Sequence, residues 1–541
     1  TIVIAKQTLW SRNPKEIFLT ISTEIFTYFF LVFCGIYNGF LFLSFTWFSL
    51  GPPKLKKSEG GGSSNIKVDL PVITVIIPLL NEENVIENSI DRLLKMPYEG
   101  ELEVLAVDDN SADVTPIILS RLSANEPRLH YLQRIQPRSQ IGKGDVLNQG
   151  YDYLRHKKFP NRDPDNWIIG VFDADGRPIE DDFFIKVGEE FTDPDVAAAQ
   201  CGVRIRNNYR LIAALQDVEF ATFSFIIQTV RDRTSGAVAL GGNGQFIRAS
   251  SLDNARTNGR YWNNSALTED LEIGTRILLS GGRIRFIDRW VSQEGVETVR
   301  ALFKQRVRWA WGSLQVFTGY VLGGKIIRAS IPARRKIDLY YYLSFWIVPF
   351  VVIASLGLFL LDRIGIIIIA NRFALTFLLI NSFSFIPLII MGLIRARVTW
   401  WRFLYLTPVT VIYTYHWIPV LIVAFMKILT SAKPNWVKTE RYEAYNHHES
   451  YQPAGTKLGD VLINLGCCKP EVIGEALEQQ SLGQHRKVLG QILTENFGLA
   501  DSDLAHALKI QQELLRSNYP EEAFEPKYER QESRQVEKFI E

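Results

Sequence analysis

The sequence predicts an α/β domain inserted between transmembrane helices and followed by a small all-α C-terminal domain. Between residues 70 and 300, short apolar runs alternate with segments of helical spacing, which is the pattern of a mainly parallel sheet covered by helices. Apolar segments long enough to span a bilayer lie on both sides of that region. Nearer the C-terminus, a Leu-Gly-x-x-Leu pattern begins at Leu458 and again at Leu489, and this repeat predicts two copies of a helical hairpin.

Composition narrows the class of protein. A chain of 541 residues is long enough for roughly two to four domains. The formal net charge of +2 argues against a nucleic-acid binder that relies on bulk charge. The cysteines have neither the spacing of a zinc site nor that of a disulfide framework; they are Cys34, Cys201, Cys467 and Cys468. The domains are therefore expected to face a reducing compartment.

Several apolar segments are candidates for transmembrane helices. They are Ile17–Leu50, Tyr340–Leu361, Arg372–Ile394 and Phe403–Ile428. Lysines after the first segment and Arg334-Arg335-Lys336 before the second place the intervening domain in the cytoplasm by the positive-inside rule. Three spans after that domain would leave the C-terminus outside. We therefore expect one segment to form a hairpin within Ile364–Ile394, or to lie in the membrane interface.

Two of the predicted strands end in paired carboxylates. Glu103–Val107 is followed by Asp108 and Asp109, and Trp167–Phe172 is followed by Asp173-Ala174-Asp175. Ligands of parallel sheets bind at the carboxyl ends of strands. Mg²⁺ and Mn²⁺ prefer carboxylate oxygens and often bridge to substrate phosphates. One acidic turn of this kind is more often only a turn, but two in one sheet favour a metal and phosphate site.

Three further stretches carry groups suited to a phosphorylated ligand and a hydroxyl acceptor. Lys143 stands between two glycines that allow close backbone approach, and Gly241–Phe246 is a second Gly-rich turn. Thr268–Gly312 opens with a Thr-Glu-Asp sequence and closes with Gln305-Arg306-Val307-Arg308-Trp309. A carboxylate can act as a general base, a guanidinium can hold phosphate oxygens, and a Trp face suits a sugar ring. Taken alone, the same stretch also fits an ordinary helix surface.

Taken in order, these motifs resemble the processive-type family 2 glycosyltransferases, which include cellulose, chitin and hyaluronan synthases. The resemblance implies a GT-A fold, a nucleotide-sugar donor, inversion at the anomeric carbon, and Mg²⁺ or Mn²⁺ as cofactor. It makes Asp270 the general base, with Thr268 and Glu269 beside it. It further implies that the donor is held by Asp108, Asp109, Lys143, Asp173, Gln305 and Arg308, the metal by Asp173 and Asp175, and the acceptor by Gly242, Asn243, Gly244, Gln245 and Trp309.

Two C-terminal features carry resemblances of their own. Lys433–Arg441 is similar to the cytoplasmic Trp-x-x-Thr-x-Arg segment of this family, which implies a gating segment near the donor pocket made of Trp436, Lys438, Thr439 and Arg441. The Leu-Gly-x-x-Leu repeat resembles the N-terminal domain of pilus-assembly and type II secretion ATPases, where it binds cyclic di-GMP. The residues implied are Lys457, Leu458, Gly459, Leu462, Gly466, Gln480, Leu489, Gly490, Leu493 and Gln511.

This second resemblance is incomplete. Lys457 stands where that family usually has Arg, and Lys cannot make the planar bidentate contact of a guanidinium. Gly498 of the second repeat also lies one position late relative to Gly466 of the first. A docking or dimerisation module is therefore the alternative to a regulatory nucleotide site.

The predicted organisation follows from these motifs. It comprises an N-terminal segment (1–16), a transmembrane helix (17–50), a linker (51–69), the catalytic domain (70–300), interface helices (301–339), transmembrane helices (340–430), the gating segment (431–450), a tandem-repeat regulatory domain (451–516) and a charged tail (517–541). The protein is expected in the inner (plasma) membrane as a multi-pass protein, with its catalytic and C-terminal domains in the cytoplasm.

Three functions remain open at this stage. The first is an enzyme that polymerises a hexose from a UDP-sugar into a β-linked exopolysaccharide and translocates the chain. The second is a lipid glycosyltransferase, such as a glucosyldiacylglycerol synthase. The third is a non-enzymatic membrane receptor or assembly factor that uses a degenerate transferase domain. Aromatic residues near the spans suit either a sugar path or an interfacial belt, and the belt is favoured for Trp400 and Trp401.

Overall fold

The computed structural model describes residues 70–366, 372–383, 385–430, 458–469, 471–476 and 489–517, together with single positions between residues 25 and 39. Those single positions are helical and lie within Ile17–Leu50, whose role as a transmembrane helix stays a prediction. The rest of the N-terminal region, the predicted gating segment and nearly all of the charged tail lie outside the described residues. The chain divides into two compact units, Thr1–Glu443 and Ala444–Glu541, and each is described by itself.

An eight-stranded sheet forms the centre of the first unit, with strand order β3-β2-β1-β4-β7-β6-β8-β5. The strands are β1 (Val72–Leu79), β2 (Leu102–Asp108), β3 (Leu129–Gln133), β4 (Trp167–Val171), β5 (Arg177–Pro178), β6 (Val196–Ile205), β7 (Gln245–Arg248) and β8 (Arg283–Gln293). Among the first four strands every pair of neighbours runs parallel: β1 with β2, β1 with β4, and β2 with β3. β6 also runs parallel to β8, as predicted. β5 and β7 run antiparallel to their neighbours, so the expectation of a mainly parallel sheet does not extend to them.

The register of the parallel strands brings the acidic strand ends to one edge of the sheet. Leu79 at the end of β1 pairs with Asp108 at the end of β2. Ile76 of β1 pairs with Val171, the last residue of β4, and Asp173 follows two residues later. Both acidic turns therefore open at the same edge, where parallel sheets bind their ligands.

Helices cover both faces of this sheet and continue beyond it. Along β1, Ile73, Val75 and Ile77 pack into one core and Ile76 into the other, which is the two-residue period of a buried strand. The helices of the first unit are α1 (Ile86–Leu94), α2 (Thr115–Asn125), α3 (Lys143–Tyr153), α4 (Phe183–Glu190), α5 (Leu211–Ala221), α6 (Gln228–Ser235), α7 (Ala249–Asn254), α8 (Glu269–Leu279), α9 (Val299–Val316), α10 (Lys325–Arg328), α11 (Ala333–Leu343), α12 (Val348–Arg363), α13 (Arg372–Ser382), α14 (Ile386–Arg395), α15 (Trp400–Thr414) and α16 (Trp417–Leu429).

Within the described residues, four helical stretches are long and apolar enough to cross a membrane. Ala333–Arg363, Ala374–Arg395 and Trp400–Leu429 correspond to the three C-terminal spans expected from the sequence. The fourth, Leu211–Ser235, joins α5 to α6 through a π-helical turn and lies in the region expected to be a soluble domain. Most of it is buried inside the protein, because it packs between the sheet and the later helices.

The segment expected to contain a hairpin is interrupted. α13 ends at Ser382 and α14 begins at Ile386. α13 packs against α12, whereas α14 packs against α5. The two helices thus have different partners, but the direction in which each would cross a bilayer stays a prediction.

The described residues of the second unit form helices arranged as two similar hairpins. Its helices are α17 (Leu458–Asn464), α18 (Leu489–Phe497) and α19 (Asp501–Ser517), and residues 471–476 are also helical. The shared core contains pairs of residues that stand 31 positions apart in the chain: Val461 and Ile492, Leu462 and Leu493, Ile473 and Leu504, Ala476 and Ala507. The internal repeat that the sequence predicts is therefore a repeat of packing as well.

The glycines of the repeat have matching structural roles. A Cβ atom at Gly459 would lie 2.9 Å from Ile473, and one at Gly490 would lie 3.0 Å from Leu504, so each glycine allows its hairpin to close. Gly466 and Gly498 both adopt a left-handed conformation, with φ of +71° and +68°, despite their different spacing. Of the predicted nucleotide contacts, Lys457 and Gln480 lie outside the described residues, and Gln511 is described only as a helical position of α19.

Candidate active site

The first acidic turn, at the end of β2, is held by a buried arginine. Asp108 is fully buried, and its carboxylate accepts hydrogen bonds from Ser111. Asp109 accepts from Nη1 of Arg134 at 2.6 Å and from the backbone N–H of Gln140 at 2.8 Å. Burial raises the pKa of the Asp108 carboxyl to about 6 and also raises that of Asp109. The turn is thus a preformed polar corner, and its predicted contact with a nucleotide base stays a prediction.

The second acidic turn presents its two carboxylates differently. Asp173 has a side chain that is 31% exposed, and its Oδ1 lies 2.6 Å from Nζ of Lys143. Asp175 is fully buried, and its Oδ2 accepts a hydrogen bond of 2.7 Å from the backbone N–H of Glu294. Asp173 is therefore the carboxylate of this pair that can reach a ligand, whereas Asp175 fixes the turn to the end of β8.

Lys143 connects this turn with the predicted catalytic carboxylates. It is the first residue of α3, and its ammonium lies between Asp173 and Glu269, with 3.7 Å to Oε1 of Glu269. Asp270, in the first turn of α8, lies beside it: a Cβ atom at Gly242 would be 2.9 Å from Oδ2 of Asp270 and 3.4 Å from the Lys143 ammonium. A side chain at position 242, where φ is +80°, would therefore collide with the base.

The protonation of Asp270 depends on these neighbours. Burial raises the pKa of its carboxyl to about 7; the Glu269 carboxylate acts in the same direction, and the Lys143 ammonium opposes both. A carboxylate whose pKa lies near neutrality is suited to accept a proton from an acceptor hydroxyl and to release it again. Burial acts to lower the pKa of the Lys143 ammonium, but Asp173 and the other carboxylates of this cluster outweigh it and raise that pKa, so Lys143 stays charged.

The Gly-rich turn at Gly242–Gln245 serves mainly to join the other parts of the site. Asn243 accepts from the backbone N–H of Asp173 at 3.3 Å and donates to Gln293 at 2.8 Å, and it is almost fully buried. Gln245 is fully buried as well. The structure thus brings Gly242 to the catalytic carboxylate, while acceptor contacts by Asn243 and Gln245 stay predictions that require this turn to open.

The basic and aromatic motif lies on α9, which packs against the start of α8. A Cβ atom at Gly312 would lie 2.5 Å from Cγ2 of Thr268, so this glycine allows the two helices to meet at the Thr-Glu-Asp sequence. Gln305, Arg308 and Trp309 are half-buried on the same helix. Arg306 is fully buried and stacks on Trp309, with 4.2 Å from its guanidinium carbon to the ring centroid.

The described residues fit a metal ion only if the ligand supplies part of its coordination. They contain no group of three or more His, Cys, Asp or Glu side chains arranged to hold a metal. Mg²⁺ is commonly bound through one or two carboxylates together with substrate phosphates and water. Asp173 is such a carboxylate, paired here with the ammonium of Lys143. The donor set therefore suits a cation shared with a diphosphate rather than a separate metal site.

Sequence reasoning did not assign roles to three residues that shape the site. Arg134 holds Asp109, and Arg306 forms an ion pair with Glu219 of α5. The partners stand 25 and 87 positions apart, so no local pattern connects them. The available signal was the presence of charges inside segments that otherwise read as buried, because such charges are rarely kept without a partner.

Comparison with known proteins identifies the family of the domain that carries this site. Residues 71–312 match the family model described as glycosyltransferase like family 2. This part of the chain is therefore a family 2 glycosyltransferase domain, in agreement with the family resemblance of its motifs. The match ends at Gly312, the glycine at which α9 meets Thr268.

Curated relatives and a solved structure resemble part of the chain. The chain is 30% identical over 302 residues to a beta-monoglucosyldiacylglycerol synthase of Nostoc sp., covering 54% of this chain and 59% of the relative. It is 26% identical over 259 residues to a poly-beta-1,6-N-acetyl-D-glucosamine synthase of Staphylococcus aureus, covering 47% and 57%. A solved mannosyltransferase of Pyrobaculum calidifontis in complex with GDP-Man and Mn²⁺ is 20% identical, with a TM-score of 0.43, covering 67% and 88%. The chain thus spans a little over half the length of these curated relatives.

Proposed function

We propose that this protein is a membrane-embedded inverting glycosyltransferase that transfers a hexose from a UDP-sugar to a hydroxyl acceptor. The observation that carries the proposal is the position of Asp270. Its half-buried carboxylate lies beside Lys143, and Lys143 in turn pairs with Asp173 at the carboxyl edge of the sheet. A base for the acceptor and a cationic contact for the leaving group therefore lie next to each other.

In the proposed reaction, Asp270 takes the proton of the acceptor hydroxyl while the hydroxyl oxygen attacks the anomeric carbon. The bond between that carbon and the diphosphate breaks, and its electron pair leaves with UDP, so the configuration inverts. In this proposal Lys143 and Arg308 stabilise the negative charge that develops on the diphosphate. A bound Mg²⁺ or Mn²⁺, held by Asp173 together with the diphosphate, would supply further charge stabilisation.

The family resemblance supports a growing polysaccharide as the first choice of acceptor. The long apolar helices that follow the catalytic domain offer a route across a bilayer for such a chain. Trp309, on the helix that packs against Thr268, offers an aromatic face for a sugar ring. The predicted inner-membrane location and cytoplasmic catalytic domain belong to this proposal.

A glycolipid product is the second candidate, and the relatives give it specific support. The glucosyldiacylglycerol synthase of Nostoc sp. is 30% identical to this chain, against 26% for the poly-N-acetylglucosamine synthase. The catalytic arrangement itself serves either product, because Asp270 requires only a hydroxyl group.

A panel of UDP-sugars offered to the purified full-length protein in detergent, with acceptor lipids present, tests the proposal. A long hydrolase-sensitive product would indicate the polymer, and an organic-extractable product would indicate the glycolipid. The absence of UDP release from every donor would favour the non-enzymatic receptor or assembly factor instead.

Replacing the proposed base tests the mechanism. We expect Asp270→Asn to lower the transfer rate by about 10²–10⁴-fold, the usual contribution of a general base. Donor affinity, measured by titration with UDP, should stay near that of the wild type because the change removes one charge and keeps the shape. A loss of UDP binding in this variant would contradict the assignment of Asp270 to the acceptor.

The regulatory assignments also stay proposals. The paired hairpins of the second unit support a repeat domain of the type that binds cyclic di-GMP, with the departures at Lys457 and Gly498 described above. Titration of the full-length protein with cyclic di-GMP tests it, and the absence of binding would leave a docking or dimerisation module. The gating role of Trp436, Lys438, Thr439 and Arg441 is carried over from the family alone.

A further inference from the structure

Glu219 collects hydrogen bonds from three separate helices. Oε2 of this α5 residue accepts from Nη2 of Arg306 on α9 at 2.6 Å and from the hydroxyl of Tyr413 on α15 at 2.7 Å. Oε1 accepts from the indole N–H of Trp417 on α16 at 3.1 Å. One carboxylate therefore connects α9, which carries the basic and aromatic motif, with both α15 and α16, the two helices of the last apolar stretch, Trp400–Leu429.

The same arginine holds two of the motif residues assigned to the substrates. Nη1 of Arg306 donates to Oε1 of Gln305 at 2.9 Å. Its guanidinium lies 4.2 Å from the centroid of the Trp309 ring, and the Phe220 ring meets Trp309 edge-on at 6.0 Å between centroids. Trp309 is therefore fixed by a cation on one side and by a neighbouring aromatic ring from α5.

An ion pair with a fully buried guanidinium is a costly way to gain stability alone. Removing a charge from water costs several kcal/mol before its attraction to a partner offsets it, and an apolar pair of similar volume is often as stable. A guanidinium can, however, form an ion pair through one edge, donate to an amide through another and stack through its face. Arg306 makes all three contacts at once.

We infer that Arg306 is a positioning residue for the transferase reaction, which sets the side chains of Gln305, assigned to the donor, and of Trp309, assigned to the acceptor. Glu219, held by Tyr413 and Trp417, fixes Arg306 to the apolar helices. Movement of α15 and α16 therefore changes the orientation of Trp309. This inference rests on the proposed function for its kinetic part, and on the contacts of Arg306 alone for its structural part.

The test uses Arg306→Lys, which keeps the charge but loses the planar face and the second donor edge. Arg231→Lys is the matched control, because Arg231 is also fully buried, pairs with Asp338 at 2.7 Å and stacks on Tyr342 at 3.7 Å. Tyr413→Phe removes one of the bonds to Glu219 and leaves the ion pair in place, so it is the milder second variant.

Two readouts are measured on the full-length protein in detergent. With tryptophan replaced by 5-fluorotryptophan, the ¹⁹F signal of Trp309, identified by its loss in Trp309→Phe, should shift in Arg306→Lys and, less, in Tyr413→Phe. The ratio of sugar transferred to the acceptor to UDP released should fall by about 10- to 100-fold in Arg306→Lys. Misplacement by 1 Å can slow transfer to the acceptor by about that much, and the UDP still released then comes from transfer of the hexose to water. Arg231→Lys should change neither quantity.

Each result decides one part of the inference. An unchanged Trp309 signal in Arg306→Lys overturns the positioning role, whatever the activity. A shifted signal with an unchanged ratio confines Arg306 to the fold and likewise overturns it. If the wild-type protein transfers no sugar and the signal still shifts, the proposed function fails, while the fixation of Trp309 by Arg306 is confirmed.

Discussion

Asp270 lies between groups that act on its pKa in opposite directions. Burial and the Glu269 carboxylate raise the pKa of its carboxyl to about 7, and the Lys143 ammonium opposes them. The unperturbed carboxyl has a pKa of 3.8, so the raised value leaves Asp270 protonated, and inactive as a base, at mildly acidic pH. The value of kcat/KM, which reports on the free enzyme, should therefore rise with pH up to about 7 and then level off.

Replacement of the neighbouring carboxylate, Glu269, should shift the acid limb of the pH profile, the range in which kcat/KM rises with pH. In Glu269→Gln the charge that raises the pKa of Asp270 is absent, so the pKa falls and the acid limb of kcat/KM shifts to lower pH. Glu190→Gln is the control, because Glu190 is a buried carboxylate that pairs with Arg285 elsewhere in the domain. A limb that stays in place in Glu269→Gln would show that another group titrates in this range.

At the residue scale, the sequence predicts which side chains gather but not how each is used. The register of β1, β2 and β4 brings Asp108 and Asp173 to one edge, as their positions at strand ends predict. The burial of Asp175 was not foreseeable, because its partner is the backbone of Glu294, 119 positions away. Spacing identifies candidate ligands, whereas exposure depends on contacts made by the folded chain.

At the element scale, the crossing of α14 and α5 depends on a glycine. A Cβ atom at Gly392 would lie 1.8 Å from Oγ1 of Thr222 and 3.3 Å from the backbone oxygen of Val218. The hydroxyl of Thr222 already donates to that oxygen at 2.7 Å, so moving the hydroxyl away from a new Cβ atom would break this hydrogen bond. The helix backbones approach closely here, as they do at small residues in membrane proteins.

Gly392→Ala should therefore destabilise the protein by about 1–3 kcal/mol, the usual cost of overpacking. Thermal unfolding in detergent measures this effect. Gly357→Ala on α12 is the control, because a Cβ atom there would meet nothing within 4 Å. The double variant Gly392→Ala/Thr222→Ala should recover most of the loss, since the colliding hydroxyl is gone. Additive losses in the double variant would place the strain elsewhere.

The elements that sequence reasoning missed have a physical reason in common. Leu211–Ser235 is apolar enough to cross a membrane, although it lies within the predicted catalytic domain and Asp217, Glu219, Arg231 and Asp232 interrupt its apolar run. All four charges have oppositely charged partners in other elements: Asp217 pairs with Arg204, Glu219 with Arg306, Arg231 with Asp338, and Asp232 with Arg285. A hydropathy pattern counts such charges as exposed, because pairing over a long distance leaves no trace in it.

At the scale of the whole molecule, the surface where the catalytic domain meets the apolar helices has the composition of a membrane interface. Trp400 and Trp401 stack at 3.4 Å between ring centroids and remain 58% and 65% exposed. Arg402, next to Trp401, donates to the backbone oxygen of Asn208 at 2.5 Å, which brings the loop before α5 close to the two tryptophans. The adjacent residue of that loop, Tyr209, is 74% exposed. Aromatic side chains with a polar edge concentrate where a bilayer meets water.

Trp400 and Trp401 should therefore contact lipid in a reconstituted bilayer, as the interfacial belt predicted from the sequence requires. In liposomes that contain brominated phospholipids, the quenchable part of the tryptophan fluorescence should fall in the Trp400→Phe/Trp401→Phe variant. Trp167→Phe is the control, because Trp167 is fully buried in the sheet and should not be quenched in the wild type. Equal quenching in the double variant and the wild type would exclude the pair from the interface. By contrast, Tyr413 and Trp417 of the same helical stretch bind Glu219, so they serve the contact with Arg306 rather than the belt.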